Sequence, residues 1–80
     1  MTTEHLLQRI SVDPDVSFGR PCVRGTRIGV SLVLDWLAAG WTTADVLRDY
    51  PQLTEQDVRA CIAYAAEIAR DRYLEVPGPA

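Results

Sequence analysis

Apolar residues Val58, Cys61, Ile62, Ala65, Ile68 and Ala69 recur at steps of three and four, a continuous stripe that predicts a long core helix from Thr54 to Arg72. Ahead of it, Ala44, Val46, Leu47 and Tyr50 mark a two-turn helix too short to stand in water without tertiary packing. Both helices open on the same signal. Thr42-Thr43-Ala44-Asp45 and Thr54-Glu55-Gln56-Asp57 each place a hydroxyl at a candidate N-cap and a carboxylate three residues on. The hydroxyl accepts from a first-turn N–H that has no helical partner, and the carboxylate sits where the helix dipole favours negative charge. Between them Tyr50-Pro51-Gln52-Leu53 stops the first helix, because proline disfavours the α region for the residue before it and donates to no carbonyl. Leu53 is placed to staple onto Val58. The product is helix, short turn, helix, a pattern that any antiparallel helix pair shares.

Before these helices the period changes. Arg9-Ile10-Ser11-Val12-Asp13 alternates polar and apolar side chains, the pattern of a short half-buried strand, and Asp13-Pro14-Asp15 ends it as a turn. Across a long loop, Arg20 to Ile28 reads as a second strand pairing with the first. Pro21 belongs at its edge or first residue, and Gly25 supplies a backbone angle or a close approach. A two-stranded ribbon needs a surface to lie on. From Ser31 to Ala39 the chain is apolar almost all round, with Asp35 the only charge and Gly40 the terminator. Such a helix is expected to be buried on more than one side, by its own core and by a second subunit, with Leu34 and Trp36 at the dimer interface. Trp36 and Trp41 fit packing better than a ligand platform. The expected fold class is mainly α with a short N-terminal β-hairpin, a three-helix, homeodomain-like helix-turn-helix domain. Residues 1–8 form an N-terminal segment in which Leu6 and Leu7 make a brief turn or pack on the core. Residues 9–72 form the single domain, and 73–80 a flexible, extended or disordered tail with two prolines.

A chain of 80 residues buries only about 60% of its unfolded surface, so oligomerisation is the expected route to stability. Cys22 and Cys61 do not make a disulfide framework, no apolar run approaches a membrane span, and the N-terminus lacks a targeting pattern; a soluble, cytoplasmic protein is expected. The net charge of −3 argues against non-specific nucleic-acid binding by the whole chain. Its distribution is uneven: Arg9, Arg20, Arg24 and Arg27 face only Asp13 and Asp15, while four later arginines face eight acids. There is no lysine, which base composition explains as readily as a need for bidentate phosphate contacts.

No Ser/His/Asp set, metalloprotease motif, phosphate-binding loop or cysteine pair at metal spacing is present, and His5 has no ligand partner. Catalysis, a cofactor and a metal are therefore not expected. The residues Val12-Asp13-Pro14, Phe18-Gly19-Arg20-Pro21-Cys22-Val23-Arg24-Gly25-Thr26-Arg27-Ile28, Leu37-Ala38-Ala39-Gly40-Trp41-Thr42 and Asp49-Tyr50-Pro51-Gln52-Leu53-Thr54 carry a family resemblance. Over roughly Arg9 to Arg70 the chain resembles domain-of-unknown-function family 433 (DUF433), short bacterial and archaeal proteins with an N-terminal hairpin and a helix-turn-helix. It departs from the family pattern where Phe18-Gly19-Arg20-Pro21 replaces a common Gly-Gly-Lys-Pro and where Gly29 replaces a frequent proline.

The resemblance implies an antitoxin of a toxin-antitoxin pair that binds and neutralises a PIN-like ribonuclease toxin and represses its own promoter. The alternative is a protein-interaction or dimerisation module without DNA binding. If DNA is bound, Arg20, Arg24 and Arg27 of the hairpin are expected to contact phosphates, with Gln56 and Arg59 secondary, because Glu55 and Asp57 crowd the start of the reading helix. Equally open is that Arg24 and Arg27 pair with Asp13, Asp15 or Asp49 and hold the hairpin to the helices. Partner binding is expected from Arg70, Arg72, Tyr73, Leu74 and Val76: the apolar tail anchors, and an arginine competes with the metal of a carboxylate-lined nuclease site.

Overall fold

The computed structural model describes residues 2–71. It is mainly helical, with four helices and one two-stranded antiparallel hairpin. Helix α1 (Thr3–Leu7) starts where the Thr2 hydroxyl accepts the His5 N–H at 3.2 Å. Strand β1 (Ile10–Ser11) pairs with β2 (Cys22–Val23), Ile10 opposite Val23 and Ser11 opposite Cys22. The loop between them is braced by its own backbone. The Asp13 carboxylate accepts the Asp15 N–H at 2.9 Å, and a tight 3-10 turn follows at Ser17–Gly19. After β2, Gly25 turns the chain at φ +82°; nothing lies within 4 Å of the position a Cβ would take, so the backbone angle and not crowding selects glycine.

Helix α2 (Val30–Ala38) is followed by α3 (Thr43–Asp49) and α4 (Glu55–Asp71). Both expected caps are present. The Thr42 hydroxyl accepts the Asp45 N–H at 3.1 Å while the Asp45 carboxylate accepts the Thr42 N–H at 2.8 Å. Thr54 and Asp57 repeat this reciprocal pair at 3.2 and 2.9 Å. Leu53 and Val58, the expected staple, are both buried in the same core.

That core has a small, β-branched centre. Its largest fully buried side chains are Val23, Val33, Val46 and Val58, drawn from the hairpin, α2, α3 and α4 in turn. The larger residues form its half-buried rim: Trp36 stacks on Tyr50 with ring centroids 4.4 Å apart and on Trp41 at 5.6 Å, joining α2 to both ends of α3.

Leu6 packs against the core, as expected of it, from a helix at Thr3–Leu7 that lies along α4. Three features differ from the expectation. The strands are two residues each, and among the described residues they form the only sheet. Helix α2 buries Val30 and Val33 but exposes Ser31, Leu32 and Asp35, so the described residues cover it on one side. Of the stripe along α4, Val58 and Cys61 are buried and Ala65 is half-buried, while Ile62 and Ile68 remain 49% and 45% exposed. No helix among the described residues is long and apolar enough to cross a membrane.

Candidate interaction site

The start of α4 is closed by its own acids. Asp57, 8% exposed, uses one carboxylate oxygen for the Thr54 cap and the other to accept from the Arg9 guanidinium at 3.2 Å. Glu55 holds Arg59 at 2.8 Å across one helical turn. Of the side chains expected there to meet DNA, Gln56 alone is exposed without a side-chain partner among the described residues.

The hairpin arginines divide into two kinds. Arg24 donates to the carbonyls of Gln8 and Ile10 at 2.7 and 2.9 Å, clasping the approach to β1. The alternative in which it pairs with an aspartate is therefore not realised; backbone oxygens take that role. Arg20 and Arg27 are exposed and make no ion pair among the described residues. Arg9, which the sequence did not single out, carries the ion pair that holds β1 to α4.

Two surfaces of α4 remain outward. Arg59, Ile62, Ala66 and Arg70 are all exposed and follow one another at steps of three and four, so they share one face. Arg59 is tied to Glu55 and Arg70 to Glu67 along the helix, which leaves Ile62 as the largest apolar group between two neutralised ends. A different face carries Tyr64, Glu67, Ile68 and Asp71, which with Leu7, Ile10 and Val12 line a groove of about 260 Å³ between α4 and β1. Val12 stands 59% exposed at this groove.

The expected dimer residues have intramolecular roles. Trp36 contributes its ring to the stack with Tyr50 and Trp41, and Leu34 is half-buried against the core. Arg70 is exposed at the end of α4. Arg72, Tyr73, Leu74 and Val76, and with them the expected tail, lie outside the described residues.

One further residue stands where the family pattern commonly has glycine. Phe18 is 97% exposed and sits at φ +58°, between Ser17 at +49° and Gly19 at +78°. Three successive left-handed residues, one of them a bulky aromatic, are unusual, because only glycine adopts that region without steric cost.

No curated protein matches the chain. Among solved structures, it is similar to a DUF433 member protein from Anabaena variabilis, with a TM-score of 0.74 and 28% identity over 85% of this chain and 67% of that one. The model of the family described as "Protein of unknown function (DUF433)" matches residues 10–65, which span the hairpin, α2, α3 and most of α4, and the chain belongs to that family.

Proposed function

We propose that this chain is an antitoxin-like binding protein that captures and neutralises a PIN-like ribonuclease. In this reading α2, α3 and α4 form a homeodomain-like helix-turn-helix that presents a protein-binding face. The observation that supports it best is the exposed row Arg59, Ile62, Ala66 and Arg70 on α4, an apolar centre between two arginines already balanced by Glu55 and Glu67. Such a face suits an apolar contact with a folded protein and offers little to a polyanion, which needs uncompensated cations. Arg70, at the outer end of the row, is placed to exchange Glu67 for a carboxylate of a nuclease metal site by a charge-assisted hydrogen bond.

The test is coexpression with a neighbouring PIN-like ribonuclease, followed by an RNA-cleavage assay. Ile62→Asp puts a charge at an exposed position, so folding is retained while neutralisation is lost; unchanged neutralisation refutes the assignment of this face. A second reading, promoter binding, is favoured specifically by Arg20 and Arg27, the exposed hairpin cations that make no ion pair among the described residues. Replacing both by Ala lowers the salt slope of a gel shift by about two phosphate contacts. Absence of any shift at low salt removes this reading.

A further inference from the structure

We propose that Phe18 of one copy docks into the groove between β1 and α4 of a second copy, which returns the same contact, so that two knobs and two grooves close a two-fold dimer. Apart from Glu67, which pairs with Arg70, the groove lies on a different face of α4 from the proposed ribonuclease contact.

The knob is built before it binds. Hydrogen bonds from the Gly19 N–H to the Val16 carbonyl at 3.0 Å and from the Arg20 N–H to the Ser17 carbonyl at 3.1 Å hold the turn. The Asp15 N–H to Asp13 contact and the Val16 N–H to Asp13 carbonyl bond, both 2.9 Å, hold the loop below it. A ring 97% exposed on a braced backbone in a left-handed conformation loses little further freedom on docking. Its contact area is thus available for affinity. Strain of this kind persists where the surrounding structure fixes it, and here it points an aromatic ring into solvent.

The groove matches the knob in size and in charge. At about 260 Å³ it is smaller than most small-molecule sites, which run from about 300 Å³ upward, and suits one inserted side chain. Its apolar lining includes Val12 and Ile68, 59% and 45% exposed, and its rim carries Asp71, which makes no ion pair among the described residues, beside Glu67, which already holds Arg70. The knob carries Arg20 two residues from the ring, exposed and without an ion pair among the described residues. A basic knob therefore meets an acid-rimmed groove. Val12 lines the groove and leads directly into the loop that carries Phe18, so the β1 side of the groove adjoins the knob. Such adjacency favours a reciprocal contact, in which the same patch on both copies is self-complementary, over an open chain of molecules.

The test is sedimentation equilibrium of the full chain from about 10 to 500 µM, the range in which a small reciprocal interface associates. Expected is a dimer whose dissociation constant rises at least about tenfold in Phe18→Ala and in Ile68→Asp. At concentrations where both proteins are monomeric, the thermal midpoint of Phe18→Ala is expected to stay unchanged or rise, because the ring is 97% exposed in the monomer. A 1:1 mixture of the two variants restores association, since one intact knob then meets one intact groove. Should Ile68→Asp fail to fold, Arg20→Glu replaces it and weakens the dimer most at low salt. A wild-type chain that stays monomeric throughout, or a Phe18→Ala dimer of unchanged affinity, overturns the proposal. A monomer that dimerises only after truncation at Arg72 also overturns it and assigns the groove to the chain's own tail. Loss of ribonuclease binding in Phe18→Ala of a monomeric wild type overturns it in favour of a heterologous partner.

Discussion

Asp57→Ala is the substitution with the largest expected effect on the fold. Its carboxylate ends two contacts at once: the Thr54 N–H at 2.9 Å, which closes the cap of α4, and the Arg9 guanidinium at 3.2 Å, which ties β1 to that helix. Loss of a capping contact costs about 1 kcal/mol. The ion pair has one side chain 11% and the other 38% exposed, so solvent screening reduces it to about 1–2 kcal/mol. Together they give about 2–3 kcal/mol in a domain whose whole stability is about 4–12 kcal/mol. The midpoint of thermal unfolding should fall by about 10–20 °C. Asp57→Asn keeps an oxygen for the Thr54 N–H and loses the charge, so it should cost about half as much. A urea-denaturation cycle combining Asp57→Asn with Arg9→Met should show a coupling of about 1 kcal/mol across 48 residues of sequence separation. If Asp57→Ala changes stability by less than about 0.5 kcal/mol, or if the cycle shows no coupling, the bridge is not what joins the hairpin to α4.

Three more outcomes are expected. Thr42→Ala should lower stability by about 1 kcal/mol in urea titration, through loss of the hydroxyl that accepts the Asp45 N–H. The Thr42 N–H and hydroxyl, with smaller help from Arg48, hold the Asp45 carboxyl below its ordinary range. Because the unfolded chain takes up that proton more readily, this contribution is present above the ordinary carboxylate range and fades as pH falls through the lowered value; Asp45→Asn should flatten that part of an acid titration. Burial, with Asp57 nearby, pushes the Cys61 thiol up to about 11. Native protein at pH 8 should therefore leave Cys61 unmodified by iodoacetamide, and stability should decline as pH rises from the ordinary thiol range toward 11 because the unfolded chain ionises first.

What could be read from the sequence was local. The two Thr/Asp caps, the Tyr50-Pro51 stop and the Gly40 terminator rest on neighbours three or four residues away, and all stand where the pattern placed them. The second duty of Asp57 was hidden because Arg9 lies 48 residues upstream and nothing in the spacing links them. Arg24 was expected to meet either a phosphate or an aspartate; it donates instead to the carbonyls of Gln8 and Ile10, a partnership that residue type and spacing do not encode. The stripe on α4 was correct as a helical period but says nothing of how far the other elements reach. They cover Val58 and Cys61 and leave Ile62 and Ile68 open. At Phe18 the departure from a common glycine was legible but its left-handed backbone was not, since propensity rules assign such turns to glycine and asparagine.

In the proposed partner-binding role, the two-residue strands decide how another protein is recognised. Many adaptor domains bind by lending a sheet edge, along which an extended peptide forms a new strand through main-chain hydrogen bonds. Here β2 is flanked on one side by β1 and on the other by Gly29, which bridges to Cys22. Pro21 has no N–H to offer, and the Ile10 carbonyl is already occupied by Arg24. Among the described residues no run of open backbone is long enough to template an added strand. The same shortness protects the hairpin from edge-to-edge aggregation. Selectivity must then reside in side chains, and partner choice should change with single substitutions on the outer faces more readily than it does in domains that read a partner's backbone.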